Sequence, residues 1–396
     1  MIQRISIENF KAIYKAVDFR IQPFTVFIGN NGAGKSTVIE ALRVLQIAVN
    51  KGLNVAFQDW GGLDRIRNYN ASTVKAKNGS KKRFEPLRIG LTSVVNGKIY
   101  DYKVQINVLP DGVFYVVENE ELYCDREPVF IAKVVGAEND AEVTFYRTIN
   151  GTRIVDKYKA TRLMIGHQSP FISEEIEEFT RYVEDWQFLY LNAHNMGKPV
   201  QQDRVYKTIK LDYEGRNIAD YLMRLEEQGK EYLDSIIRKM RFVLPYISDI
   251  ESHILEETIN REIELLLHET NKNSKPLPGW LLSSGTLRIL ALLTMFETPI
   301  RPSVLFVDEI ENGLDPRTIG LLLSQVENVF LTKSMQVVFT THSPYFLDLV
   351  PLESIIVAEK DDEGSSYHIP KDEETLNLWK EKFSPGKLYT MGKLTN

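Results

Sequence analysis

Apolar positions recur with different periods along the 396 residues, and the changes of period mark out the elements. Near the start, Ile5, Ile7 and Phe10 alternate with polar neighbours, and the run Phe24 to Ile28 is continuously apolar, so residues 1 to 28 read as strands. From Val38 to about Asn50 the spacing turns helical. Residues 84 to 160 are rich in Val, Ile, Tyr, Phe and Thr. With turn signals at Asn96-Gly97, Asp111-Gly112 and Asn150-Gly151, they predict antiparallel hairpins. The period then changes again. Phe171, Ile172, Ile176, Phe179 and Val183 fit one helical face, as do Ile218, Tyr221, Leu222 and Leu225, and Leu233, Ile236, Ile237 and Met240. Pro245 limits the last of these runs. Strand-like runs follow near 246–257 and 261–268, and Asn271 to Gly279 reads as a loop.

The last third alternates strictly. A helix is expected over about Thr286–Thr298, a buried strand over Val304–Val307, a helix near 316–330 and a strand over Gln336–Thr340. Continuous apolar strands alternating with helices predict an α/β fold with a parallel sheet covered on both faces. The expected division is an N-terminal lobe with a β-rich part over 1–170, a mainly helical insertion over 171–270 and a C-terminal lobe over 271–396.

Composition narrows the class. The net charge of −6 excludes a globally basic nucleic-acid binder but leaves room for a local patch. The single cysteine, Cys124, excludes an internal disulfide and any cysteine-based metal cluster, and suits a reducing cytoplasm. No apolar stretch approaches the ~20 residues of a membrane span, and the alternating N-terminus does not read as a signal peptide.

Chemistry enters at Gly29 to Thr37, Gly-Asn-Asn-Gly-Ala-Gly-Lys-Ser-Thr, set between an apolar strand and a helix. This is a phosphate-binding loop in the context that the motif requires. Asn30, Asn31, Gly32, Ala33 and Gly34 supply backbone N–H groups, Lys35 reaches β- and γ-phosphates, Ser36 is a Mg²⁺ ligand, and Thr37 completes the nucleotide-binding set. Asp308 and Glu309 end the second apolar strand. There Asp308 is placed to hold Mg²⁺, and Glu309 to orient or deprotonate water. Read alone, the same pair is a solvated acidic turn, and Glu311 is either a supporting acid or a solvated charge. His342 follows the next strand, placed to hydrogen-bond a γ-phosphate. Asn312-Gly313-Leu314-Asp315-Pro316 is a turn into a helix. Ser283 or Ser284 caps the helix that begins at Gly285-Thr286, and such a helix start can also cradle a phosphate.

The order of these motifs resembles the ABC-type ATPase heads of the RecF, structural-maintenance-of-chromosomes (SMC) and OLD families. It is most similar to the short bacterial AAA-21 and AAA-15 ATPases. Ile7-Glu8-Asn9-Phe10-Lys11, Ser284-Gly285-Thr286-Leu287-Arg288, the run Leu211 to Ile218 and Phe383 to Leu388 carry the resemblance further. It implies ATP and Mg²⁺ as ligands, and two ATP molecules sandwiched in a head-to-tail homodimer, with room for a higher oligomer. It also implies a signature role for Ser284, Gly285 and Thr286, an interface position for Asp315, a switch role for His342 and a Mg²⁺-sensing role for Gln168. The signature reads Ser-Ser-Gly-Thr where the family usually has Ser-Gly-Gly-Gln or Ser-Gly-Gly-Glu.

OLD nucleases continue into a metal-binding domain, but only the 54 residues 343–396 follow His342 here, and they hold no dense carboxylate or histidine cluster. The resemblance therefore implies a sensor ATPase acting on a separate effector, a nuclease or toxin, in anti-phage defence. The alternative is an ATPase that clamps double-stranded DNA directly. Lys75, Lys77, Lys81, Lys82 and Arg83, and then Arg238, Lys239 and Arg241, are basic runs that serve either DNA or solvent. A transporter motor is disfavoured, because no membrane-coupling surface is evident.

Overall fold

Alternation becomes a sheet in the computed structural model. Leu87–Val95 alternates buried and half-buried positions along its whole length, as a strand with one face covered must. The structure describes residues 1–394 apart from 16, 72, 76–81, 110–113, 136–139, 147–152, 168–172, 204–209, 256–260, 272, 332–334, 363 and 371–381. The fold separates into two compact units, Met1–Trp186 with Glu353–Asp372 and Leu394–Asn396, and Gln187–Leu352 with Glu373–Lys393. This packing divides the chain differently from the consecutive stretches 1–170, 171–270 and 271–396. The reason is that Ile355–Asp361 returns to pair in parallel with Phe24–Gly29, and Glu174–Glu184 packs with the first unit.

The first unit contains an eight-stranded antiparallel sheet. Its order is Ile154–Lys159, Asp140–Phe145, Glu127–Val134, Tyr115–Cys124, Lys98–Val108, Leu87–Val95, Ile2–Glu8 and Val17–Arg20. Register aligns a continuous buried row across six strands: Ile5, Leu91, Tyr102, Leu122, Phe130 and Phe145. Helix Glu174–Glu184 covers this face, with Phe179 5.5 Å from the Tyr100 ring and 5.4 Å from Tyr102. Asn96 and Gly97, at φ 47 and 84, make the tight hairpin turn that the sequence predicts. The signals at 111–112 and 150–151 lie outside the described residues.

A second tight hairpin uses Asp125 and Arg126, at φ 51 and 70, without a glycine. The Asp125 carboxylate accepts the Ile99 N–H at 2.9 Å, which compensates for the left-handed backbone.

The next buried row contains an acid. Ile89, Val104, Glu120, Ala132 and Val143 are successive register partners, and Glu120 is fully buried among them. Its carboxylate accepts N–H groups of Met164 at 2.6 Å and Ile165 at 3.1 Å, and the Tyr102 hydroxyl at 3.1 Å. Burial outweighs these bonds and pushes the carboxyl up to about 7. A carboxyl raised in the folded state stabilises below its unfolded value and loses that contribution as pH rises toward 7. Glu120→Gln should therefore remove a pH dependence on the order of 2–3 kcal/mol between pH 5 and 8. Urea unfolding of both proteins at the two pH values checks this, and equal slopes would contradict it.

The second unit holds the parallel strands Gln187–Leu189, Val304–Val307 and Gln336–Thr341 in that order. The Phe188 and Phe306 rings stack across the first pair, 4.5 Å apart. Helix Ser284–Glu297 is buried at every position from Thr286 to Phe296, as an apolar core helix should be. Helices Ile218–Gln228, Lys230–Val243 and Pro316–Leu331 are present, as the helical spacing predicts. The strand-like runs form Ile247–Ile254 and Glu262–Glu269, paired antiparallel. Among the described residues no helix is long and apolar enough to cross a membrane.

Candidate nucleotide site

Two sets of candidate groups are present, and each is described within its own unit. In the first unit, the buried strand Phe24–Gly29 feeds the loop, and helix Lys35–Lys51 leaves it. Gly32 and Gly34 have φ of 78 and 98, a left-handed backbone that glycine adopts without penalty. Asn30, Asn31 and Gly32 form an exposed rim, Ser36 is half-buried, and Ala33, Gly34, Lys35 and Thr37 are buried. The Lys35 ammonium donates to the Gly29 carbonyl at 2.8 Å and to Asn30 at 3.1 Å, so it lies folded over the loop itself. No acidic residue occupies the helix's first turn, which leaves its positive end for an anion.

In the second unit, the apolar strand Val304–Val307 delivers Asp308 at 6% exposure. Thr340, on the neighbouring strand, ties the acidic pair together. Its hydroxyl donates to Asp308 Oδ1 and accepts the Glu309 N–H at 2.8 Å. Glu309 stands at φ 52, unusual for a non-glycine residue, and its carboxylate accepts Asn312 Nδ2 at 3.3 Å. The exposed His342 donates its backbone N–H to Glu311 Oε1 at 2.5 Å, so Glu311 bonds the strand end that carries His342. Thus Asp308, Glu309 and His342 come together around Thr340 and Glu311.

Two further residues flank the acids. The Tyr190 hydroxyl is raised above its ordinary range by the Glu309 charge, then by burial and Asp308. The Arg288 guanidinium is lowered by burial, against the attraction of Tyr190, Glu309 and Glu311. It donates to the Leu191 carbonyl at 2.5 Å. Tyr190 lies in no motif, and Arg288 enters sequence reading only as the last residue of the Ser284–Arg288 match, with no role of its own. Thr340 is visible only as one of the polar residues ending a strand.

The helix start is resolved in favour of Ser283 as its cap, which accepts the Thr286 N–H at 3.1 Å. Thr286 is buried, and its hydroxyl lies 2.8 Å from Ser283 Oγ and 2.9 Å from the Tyr246 hydroxyl. Ser284 remains exposed. Gly285 packs on the 312–314 turn, where a Cβ would meet the Gly313 carbonyl at 2.8 Å. Asp315 caps the next helix through the Thr318 N–H at 3.0 Å and the Thr318 hydroxyl at 2.5 Å, and these bonds hold its carboxyl below the usual range. Gln168 lies outside the described residues.

The basic runs fare differently. Lys77 and Lys81 lie outside the described residues, whereas Lys75 and Lys82 are backbone partners in a short hairpin. Lys239 is committed internally, bonding Glu297 and the Gln325 carbonyl, both at 2.6 Å. Arg241 donates to the Ser248 carbonyl at 2.9 Å.

The fold is that of an SMC-type ATPase head, as the sequence predicts. The chain belongs to the AAA-21 family, described as "AAA domain, putative AbiEii toxin, Type IV TA system", whose model matches residues 24–141 and 165–348. It is similar to the "Retron Vc95 probable ATPase" of Vibrio cholerae serotype O1 biovar El Tor. The two are 22% identical over 387 residues, covering 85% of this chain and 69% of the relative. Among solved structures, an SMC head bound to the C-winged helix domain of ScpA is 13% identical, with a TM-score of 0.56, covering 95% of this chain and 99% of that one. A second, an SMC head with an extended coiled coil bound to the C-terminal domain of ScpA derived from Pyrococcus furiosus, is 12% identical. Its TM-score is 0.50, and 96% of this chain and 98% of that one are covered. These likenesses show the fold.

Proposed function

We propose that the protein binds and hydrolyses ATP with Mg²⁺, closes as a head-to-tail homodimer on two ATP molecules, and uses the change to restrain and release a separate effector. The observation that carries the reading is the Asp308–Thr340–Glu309 arrangement in a chain that also has the buried loop lysine. Lys35 and the loop N–H groups bind the phosphates, and Glu309 orients the attacking water and accepts its proton. His342 contacts the γ-phosphate. The Ser36 hydroxyl and the buried Asp308 carboxylate are hard oxygen donors that suit Mg²⁺, which neutralises phosphate charge when bound. Ser284 and Gly285 present the helix start to nucleotide on a second subunit. The γ-phosphate contacts then bias two arrangements of the subunits, which is the logic of a switch.

Support for defence comes from the family description and from the retron-associated relative. The effector is a nuclease or toxin in this reading. Direct DNA clamping stands second, because Lys239 and Arg241 bond groups of this same chain. Phosphate release from ATP should require Mg²⁺ and stop with a chelator; no release at high enzyme concentration would refute hydrolysis. Affinity for duplex DNA should be weak without a partner. A steep fall of tight binding with rising salt would favour the clamp instead.

A further inference from the structure

The strand pair Ile355–Asp361 and Gly364–His368, from the far end of the chain, grips the phosphate loop at both ends. At the entry, a Cβ on Gly29 would overlap the Ala358 carbonyl, so glycine is required by close approach. At the exit, Gly34 stands at φ 98, and a Cβ there would lie 2.7 Å from both Ser365 Oγ and Tyr367 Oη. The Tyr367 hydroxyl donates to the Gly34 carbonyl at 2.8 Å, an oxygen that also accepts the Thr37 N–H at 3.1 Å. The Tyr367 ring stacks on Phe19 at 5.0 Å and meets Phe27 edge-on at 6.1 Å, and Phe27 belongs to the strand that delivers the loop. Ser365 is anchored in turn. Its N–H and its hydroxyl both donate to the Ala12 carbonyl at 3.2 Å.

We infer that Tyr367 and Ser365 are positioning residues for nucleotide binding, holding Gly34 left-handed so that the loop is ready to receive phosphate before ATP arrives. A concave row of backbone N–H groups forms only when right- and left-handed residues alternate. The helix fixes the Gly34 carbonyl from its own first turn, whereas Tyr367 fixes it from a separate strand. Without that hydroxyl the loop samples other conformations. Apparent affinity then falls by the fraction of time that it spends in the competent one. Neither residue touches nucleotide in this account. The inference rests on the proposed reading of the loop as an ATP site.

Tyr367→Phe and Ser365→Ala in the full chain test it by calorimetric titration with Mg·ATP and Mg·ADP, alongside thermal unfolding. Loss of one hydrogen bond that maintains the loop should raise Kd about threefold to tenfold for both nucleotides. Tm should stay within about 3 °C, because the aromatic packing remains. A residue with only a structural role would lower Tm and leave Kd unchanged, so a Kd within twofold of wild type in both variants overturns the inference. If Tyr367→Phe fails to fold, Ser365→Ala decides alone. Absence of ATP binding by the wild type would instead overturn the site reading beneath it.

Discussion

Lys35→Ala should abolish ATP binding, raising Kd by at least about 100-fold, close to 2.7 kcal/mol. The lysine is buried at 5% exposure, and its ammonium lies over the Gly29 and Asn30 carbonyls. In the proposed reading, that charge turns from the loop carbonyls to phosphate oxygens on binding. A hydrogen bond between charged groups contributes roughly 1.5–3 kcal/mol, more where water is excluded. Alanine removes this contact and also the lysine's bonds to the Gly29 and Asn30 carbonyls, of which Asn30 keeps the Ala33 N–H, so the empty loop loses order. Both effects act in the same direction. Calorimetric titration of wild type and variant measures the loss, and an unchanged Kd would sink the assignment of the loop as the phosphate site.

Glu309→Gln should slow phosphate release by about 10²- to 10⁴-fold while leaving ATP affinity within about threefold of wild type. The amide keeps the shape of the carboxylate and its place beside Asn312 but cannot take a proton from water. The Thr340 bridge to Asp308 does not involve the Glu309 side chain, so the carboxylate assigned to Mg²⁺ is undisturbed. Glu309 already stands at φ 52, and Gln there carries the same backbone strain. Steady-state phosphate release and a binding titration on one preparation separate the two quantities. Turnover close to wild type would assign the proton transfer elsewhere.

What was legible in the sequence follows the range of the forces concerned. The strands Leu87–Val95 and Lys98–Val108 and the Asn96-Gly97 turn are local, so alternation and turn chemistry predict them. The phosphate loop is local too, because its glycines, lysine and serine act within nine consecutive residues, Gly29 to Thr37. The Asp125–Arg126 turn escapes because its left-handed backbone is stabilised by a carboxylate bond to Ile99 rather than by glycine. Glu120 escapes because an acid in an apolar row looks like a break in the pattern, when in fact it is satisfied by Met164 and Ile165 some 44 residues away. The Tyr367 contact with Gly34 spans 333 residues, and no local pattern encodes it. The same long-range return of Ile355–Asp361 to Phe24–Gly29 explains why the packing units are not consecutive segments.

Thr286 shows a subtler difference. Its place beside Ser284 and Gly285 suggests three equivalent contacts, yet its hydroxyl turns inward to Tyr246 and Ser283. In the proposed dimer, Ser284 and Gly285 are then the groups offered to the second subunit. That division makes the dimer the part of the account with most at stake. Its direct test is the mass of Glu309→Gln in solution with saturating ATP and Mg²⁺, by light scattering coupled to size exclusion. Twice the 45.6 kDa protomer is expected with ATP, and a return to the protomer when nucleotide is removed. A mass that stays at one protomer with ATP bound would contradict it.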